Sequence, residues 1–423
     1  MSDMLRRMSQ CKPLPRVDTN AIELERVALE SAEIALLETD AANNIESLVD
    51  VAESVNAQVT LISDGVETAD GLEGLVNQTL TTYGEQGLDE QGGELLRISV
   101  ECILRARGID IPSSMIVPSF ESGMTLKQYS SEVIDRKNNL VSRIFSWIYT
   151  ALKALADAMK NFFAKINTNA KAVKDYAAKV KVKVDALKGS IKDPSGTINL
   201  GTSAIWLTDK NERLVSPSFQ IVNTVARFED FVTAWRNQWK GITSVSLPTS
   251  SVSAAALTKA SDAIKSHASQ SNKANAKVQI DFVVTHSLEL KEGTGEFPLL
   301  GATVSIDPIV TAKDHLAKIL TLEEMKDGIN DAISAMTVLD KLNTEVTAIE
   351  KLTAQVASLS KGVNVKDEEA VNVTELRNAF KALSKACSLS SWGWTNTSPY
   401  YIKTIKACVG YIDACTHRYG TEG

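Results

Sequence analysis

The sequence has no run of about 18 uncharged apolar residues, which excludes a bilayer-spanning helix as an expectation. Its opening stretch, MSDMLRRMSQCKPLPRVD, lacks an apolar core, so no secretory signal is read there. Cysteine is scarce and oddly placed. The five residues Cys11, Cys102, Cys387, Cys408 and Cys415 show no CxxC spacing, which fits free thiols in a reducing compartment better than a disulfide framework.

Catalytic signatures are missing as well. There is no GxxxxGK[ST] and no GxGxxG after a strand to cradle phosphate, and no HExxH, GxSxG or kinase set. The four histidines stand singly, and His315 beside Asp314 would point to a different helix face. The reading is of a protein that is not an enzyme, without catalytic residues, metal, cofactor or small-molecule substrate.

What is present is length, helix and an uneven charge. The 423 residues can build more than one core, and 44% apolar with 23% charged residues is ordinary soluble composition. The net charge of −7 conceals a step. From Ala21 to Val100 there are 17 acidic side chains against Arg26 and Arg97, whereas Val141 to Lys192 holds 11 Lys/Arg against three Asp. Such asymmetry marks segments with different partners.

Periodicity predicts an α+β fold that is mostly α-helical, with helical N- and C-terminal parts and a small mixed region over about 196–308 between them. Residues 20–80 carry a helical stripe that the glycines from Gly65 to Gly93 are expected to break into short helices and turns. A helix over 93–107 and a Pro/Ser-rich linker over 108–123 come next. Ala- and Lys-rich composition predicts helix to Gly189. TINL, AIWLTD and ERLVSPS read as short strands turning at Asp209-Lys210-Asn211, then Ser218–Trp239 as helix and 247–276 as a polar helix with loose ends. KVQIDFVVTHSLEL alternates as one strand, paired with FPLLGATVSID. Residues 312–359 read as a long helix or helical hairpin. Val373–Cys387 and Tyr400–Arg418 read as two helices parted by SSWGWTNTSPYY. The organisation expected is an acidic helical region 1–132, an amphipathic and Lys-rich segment 133–195, an α+β region 196–310 and a helical region 311–423.

The stretch SRIFSWIYTALKALADAMKNFFAKI, residues 142–166, carries one apolar stripe through Ile144, Ile148, Leu152, Leu155, Met159, Phe162 and Ile166, widened by Trp147. Three readings stay open. It covers the protein's own core; it lies in a membrane interface as the inserting element of a pore-former-like protein; or it leads a Lys-rich helix onto DNA phosphates. For the last, the contacts would be Lys171, Lys174, Lys179, Lys181, Lys183 and Lys188, without base reading. A coiled-coil-like scaffold with no DNA role is a further alternative.

A small-x-Glu triplet recurs in the acidic part, among others at Gly65-Val66-Glu67, Gly71-Leu72-Glu73, Gly92-Gly93-Glu94, Ser99-Val100-Glu101, Ser119-Phe120-Glu121 and Ser130-Ser131-Glu132. Nine of the 15 glutamates in residues 1–132 have Ser, Ala or Gly two places before, against three of 13 afterwards. With the acidic-to-basic step, the aromatic–lysine segment Ile144–Lys192 and the closing SPYYIKTIKACVGYIDACTHRY, these triplets resemble the internal head proteins of giant phiKZ-like tailed phages. That resemblance implies an acidic propeptide cut after such triplets by a prohead protease. It also implies a mature body inside the capsid with packaged DNA, and capsid or other internal head proteins as partners. The location would be the phage head, with host cytoplasm during assembly. Glu132, Glu121 and Glu101 are the candidate cleavage sites. Residues 1–132 hold 23 acidic and 9 basic groups, net −14, which leaves +7 for the remainder of a −7 chain. Cleavage there would turn an acidic precursor into a basic product, and the linker would expose Glu121 to a protease.

Overall fold

The computed structural model describes residues 19–106, 117–121, 124–187, 191, 196–207, 214–243, 262, 266, 279–283, 286–291, 301–306, 316–339, 342, 347–351, 353–354 and 370–419. Two long helices set its frame: α1, Thr19–Tyr83, and α3, Leu126–Ala186. At 1.5 Å per residue each is roughly 90–100 Å long. Helix α2, Glu90–Ala106, lies between them in sequence. Then come β1, Thr197–Asn199, and α4, Pro217–Thr243. Three strands succeed them, β2, Gln279–Val283, β3, His286–Lys291, and β4, Gly301–Ile306. Strand β5, Leu316–Lys318, and helices α5, Leu322–Leu339, and α6, Ala370–Thr416, complete the order. The architecture is mostly α-helical α+β, as expected.

Helix α3 starts where its sequence supplies a reciprocal cap. Thr125 Oγ1 accepts from the Gln128 N–H at 3.3 Å, and Gln128 Oε1 accepts from the Thr125 N–H at 2.9 Å. Thr321 and Glu324 repeat the device at α5. Helices α1 and α3 run antiparallel: Asn77 meets Lys137, and Gly65 lies against Trp147 and Ile148. A β-carbon at Gly65 would fall 2.7 Å from Ile148 Cγ1 and 2.7 Å from Trp147 Cζ3, so only glycine permits this approach. Gly93 of α2 does the same service for the ring of Tyr129.

Here the structure corrects the expected breaks. α1 continues unbroken through Gly65, Gly71 and Gly74, because packing against α3 outweighs the modest helix penalty of glycine. Likewise SSWGWTNTSPYY does not break α6, which runs through Pro399. That segment is buried by the helices around it, with Trp394, Tyr401, Ile402 and Ile405 in the core. Ser391 donates to the Cys387 carbonyl and Thr397 to that of Gly393, and Thr404 just beyond donates to that of Tyr400, while the buried Ser398 hydroxyl has no partner among the described residues.

Among the described residues the strands form two sheets, with an isolated bridge between Ile191 and Tyr419. β1 pairs antiparallel with β5, Thr197 opposite Lys318. β2, β3 and β4 form an antiparallel sheet with β3 central. Residues 279–291 are therefore two strands rather than one, with Val283 opposite His286. AIWL falls in a 3-10 helix, Gly201–Leu207, not a strand. Leu316–Lys318 is a strand where helix was expected, so the helical run begins at Leu322. The turn Asp209–Asn211, most of 247–276, residue 107 at the end of the expected helix, and residues 108–116 and 122–123 of the linker lie outside the described residues.

Candidate functional site

The stripe of residues 142–166 is core. Ile144, Ile148, Leu152, Leu155, Met159, Phe162 and Ile166 are all at most 3% exposed, together with Phe145 and Phe163. Their partners come from α1 and α6: Phe145 packs on Phe380 at 5.0 Å between ring centres, and Phe163 faces Trp394. Trp147, at the edge of the stripe, stays 40% exposed. A bilayer could meet this face only if the fold opened. Among the described residues no helix is long and apolar enough to cross a membrane.

The acidic helix is joined to the rest by a charged seam as well as by apolar packing. Glu73 of α1 accepts from Arg377 Nη1 at 3.0 Å and from Lys381 Nζ at 2.6 Å, both on α6. Asp70 lies 2.5 Å from the same Lys381 amine. Arg377 also donates to Asn138 Oδ1 at 3.3 Å, and Lys137 of α3 donates to Asn77 Oδ1 at 3.2 Å. The side chains of Arg377 and Lys381 are 9% and 8% exposed, so these charges sit at low effective dielectric. Burial, reinforced by the Arg377 and Lys381 cations, pushes the Lys137 amine below its ordinary value against the pull of Glu73. Sequence reading missed this seam. Nothing in the local pattern around Arg377 or Lys381 distinguishes a buried cation from a solvated one.

The three candidate cleavage sites fall in different settings. Glu101 is inside α2 and within reach of Arg105. Glu132 is in the second turn of α3, held by Arg136 Nε at 2.9 Å. Glu121 alone of the three is exposed outside any helix, on the strap between α2 and α3. The strap is anchored just before it, since Val117 is buried, Pro118 C=O accepts from Tyr129 O–H at 3.0 Å, and Phe120 meets the Tyr129 ring edge-on. Exposed, non-helical backbone is what a protease needs, whereas Glu101 and Glu132 would require local unwinding.

The Lys-rich end of α3 divides similarly. Lys171, Lys174 and Lys179 are exposed. Lys183 is committed to Asp413 of α6 at 2.9 Å, both side chains under 20% exposed. Lys181 donates to Asn330 Oδ1 at 2.6 Å. Lys188 lies outside the described residues.

Among the described residues cysteine chemistry offers no site. Cys387, Cys408 and Cys415 are buried free thiols, and burial pushes Cys387 and Cys415 up to about 11 and Cys408 higher still. Cys102 is free and exposed. No group of His, Cys, Asp and Glu among the described residues could hold a metal ion.

Residues 30–414 match the family model described as phiKZ-like phage internal head proteins. Comparison with curated proteins and with solved structures finds no match.

Proposed function

The chain belongs to the phiKZ-like phage internal head proteins, and from that premise we propose a structural, non-catalytic part of the head interior, made as a precursor and cut after Glu121. The observation that carries the cut is the position of Glu121, exposed on the strap that joins the acidic helices to the basic one. Residues 1–121 hold 22 acidic and 8 basic groups, so the cut separates a −14 segment from a +7 segment. The same charges result from a cut after Glu132, so the electrostatic argument does not depend on the exact bond.

Packaged DNA is the partner for the basic segment. Lys171 and Lys174, both exposed, offer phosphate contacts whose strength would fall with salt and ignore base sequence. Lys181 and Lys183 are withdrawn from that role by Asn330 and Asp413. Other head components would contact the remaining surface, and the prohead protease would act during assembly in the host cytoplasm. The test is a phage carrying Glu121→Ala. The protein should persist uncut in the particle, whereas a product still ending at Glu101 or Glu132 would reject Glu121 as the site.

A further inference from the structure

We infer that cutting after Glu121 does not release the acidic segment: residues 1–121 stay bound to residues 122–423 as a separate, non-covalent chain. The inference rests on the proposed cut and concerns the fate of the two pieces.

The seam between the two segments has the character of a protein core. α1 contributes Leu48, Val55, Ile62, Ala69, Leu72 and Val76, each fully buried or within 1% of it. α2 adds Leu96, Val100 and Leu104, and the Leu88 N–H donates to Ser130 Oγ at 2.8 Å on the far side of the strap. Polar contacts pin the register. Besides the Glu73–Arg377–Lys381 cluster, Thr395 Oγ1 of α6 donates to Asn56 Oδ1 at 2.7 Å. Hydrolysis of one exposed peptide bond at Glu121 removes none of these contacts.

Until the acidic chain is stripped away, the complex keeps the full −7 charge, so the cut and the change of sign are separate events. Loss of the acidic chain would also uncover the part of the α3 stripe that α1 covers and the cations Lys137, Arg377 and Lys381. The partner for that surface is thus an acidic amphipathic helix, and the protein supplies it from its own N-terminal segment.

The test uses the full chain with a site-specific protease sequence inserted between Glu121 and Ser122. After complete cutting, shown by two bands on a denaturing gel, native mass spectrometry and gel filtration at ~0.15 M and ~1 M salt should give one species containing both fragments. Far-ultraviolet ellipticity should be unchanged. Separation of the fragments at either salt, or aggregation of the larger one, would overturn the inference. In a Glu73→Gln chain, folded when uncut, the cut fragments should part on dilution at least tenfold more readily. Equal dissociation would remove the ion-pair cluster from the account. Because the cut is introduced, the outcome is independent of whether the virion protease acts at Glu121.

Discussion

Glu73 and Arg377, 304 residues apart in sequence, meet in a 3.0 Å ion pair between the acidic helix and the last helix of the chain. Lys381 closes on the same carboxylate. The pair is a property of the assembled fold and ties the most acidic segment to the C-terminal one.

Removing Glu73 takes from the buried Arg377 its carboxylate partner and leaves Lys381 only the exposed Asp70. Glu73→Ala should therefore destabilise the uncut chain by about 3–5 kcal/mol in urea unfolding. Replacing the three together, with Glu73→Leu, Arg377→Met and Lys381→Met, should cost less than the single change, because Arg377 and Lys381 no longer stand buried without their carboxylate and Lys137 keeps its bond to Asn77 Oδ1. An equal loss for the single and triple variants would contradict this account of the seam.

Two glycines of α1 should respond in opposite directions. Gly74→Ala meets nothing within 4 Å and should stabilise by about 0.5–1 kcal/mol through helix propensity. Gly65→Ala would collide with Trp147 and Ile148, and should lower the melting temperature despite the same propensity gain. Adding Trp147→Ala to Gly65→Ala should recover part of the loss.

Thiol labelling should track burial. In a Cys11→Ser chain, Cys102 should react within the first minutes with an aromatic disulfide reagent, while Cys387, Cys408 and Cys415 react only after denaturant is added. Rapid native labelling of two or more thiols would mean that α6 is not packed as described.

Those buried thiols also set an alkaline limit. The folded-state values of Cys387 and Cys415 are pushed up to about 11, from an ordinary 9.0. Above that ordinary value the unfolded chain loses thiol protons that the folded chain keeps. Stability is then fully present below about pH 9 and falls as pH rises toward 11, by about 2–3 kcal/mol per thiol at most. A Cys387→Ala, Cys415→Ala chain should show a shallower fall in denaturation midpoint over that range.

Much of this was legible in the sequence because periodicity reports burial. The stripe from Ile144 to Ile166 identified the core face of α3, and the choice between core and membrane needed only the sight of α1 and α6 across it. Glycine misled. Gly65, Gly71 and Gly93 counted both as helix breakers and as cleavage triplets, yet Gly65 and Gly93 are where helices approach closely. α6 was missed between Cys387 and Tyr400 because a helix buried on all sides has no amphipathic signature. The β2–β3 pairing was missed because the alternation of apolar positions carries on from one strand to the next with no glycine or proline between them. The partners of Glu73 are remote in sequence, and no local pattern encodes them.

The most direct test of the central claim is mass spectrometry, with labelling of free N-termini, on protein extracted from purified DNA-filled heads. The account predicts a chain beginning at Ser122 inside mature particles. Absence of the chain from the heads, or its presence there solely with residue 1 intact, would contradict it.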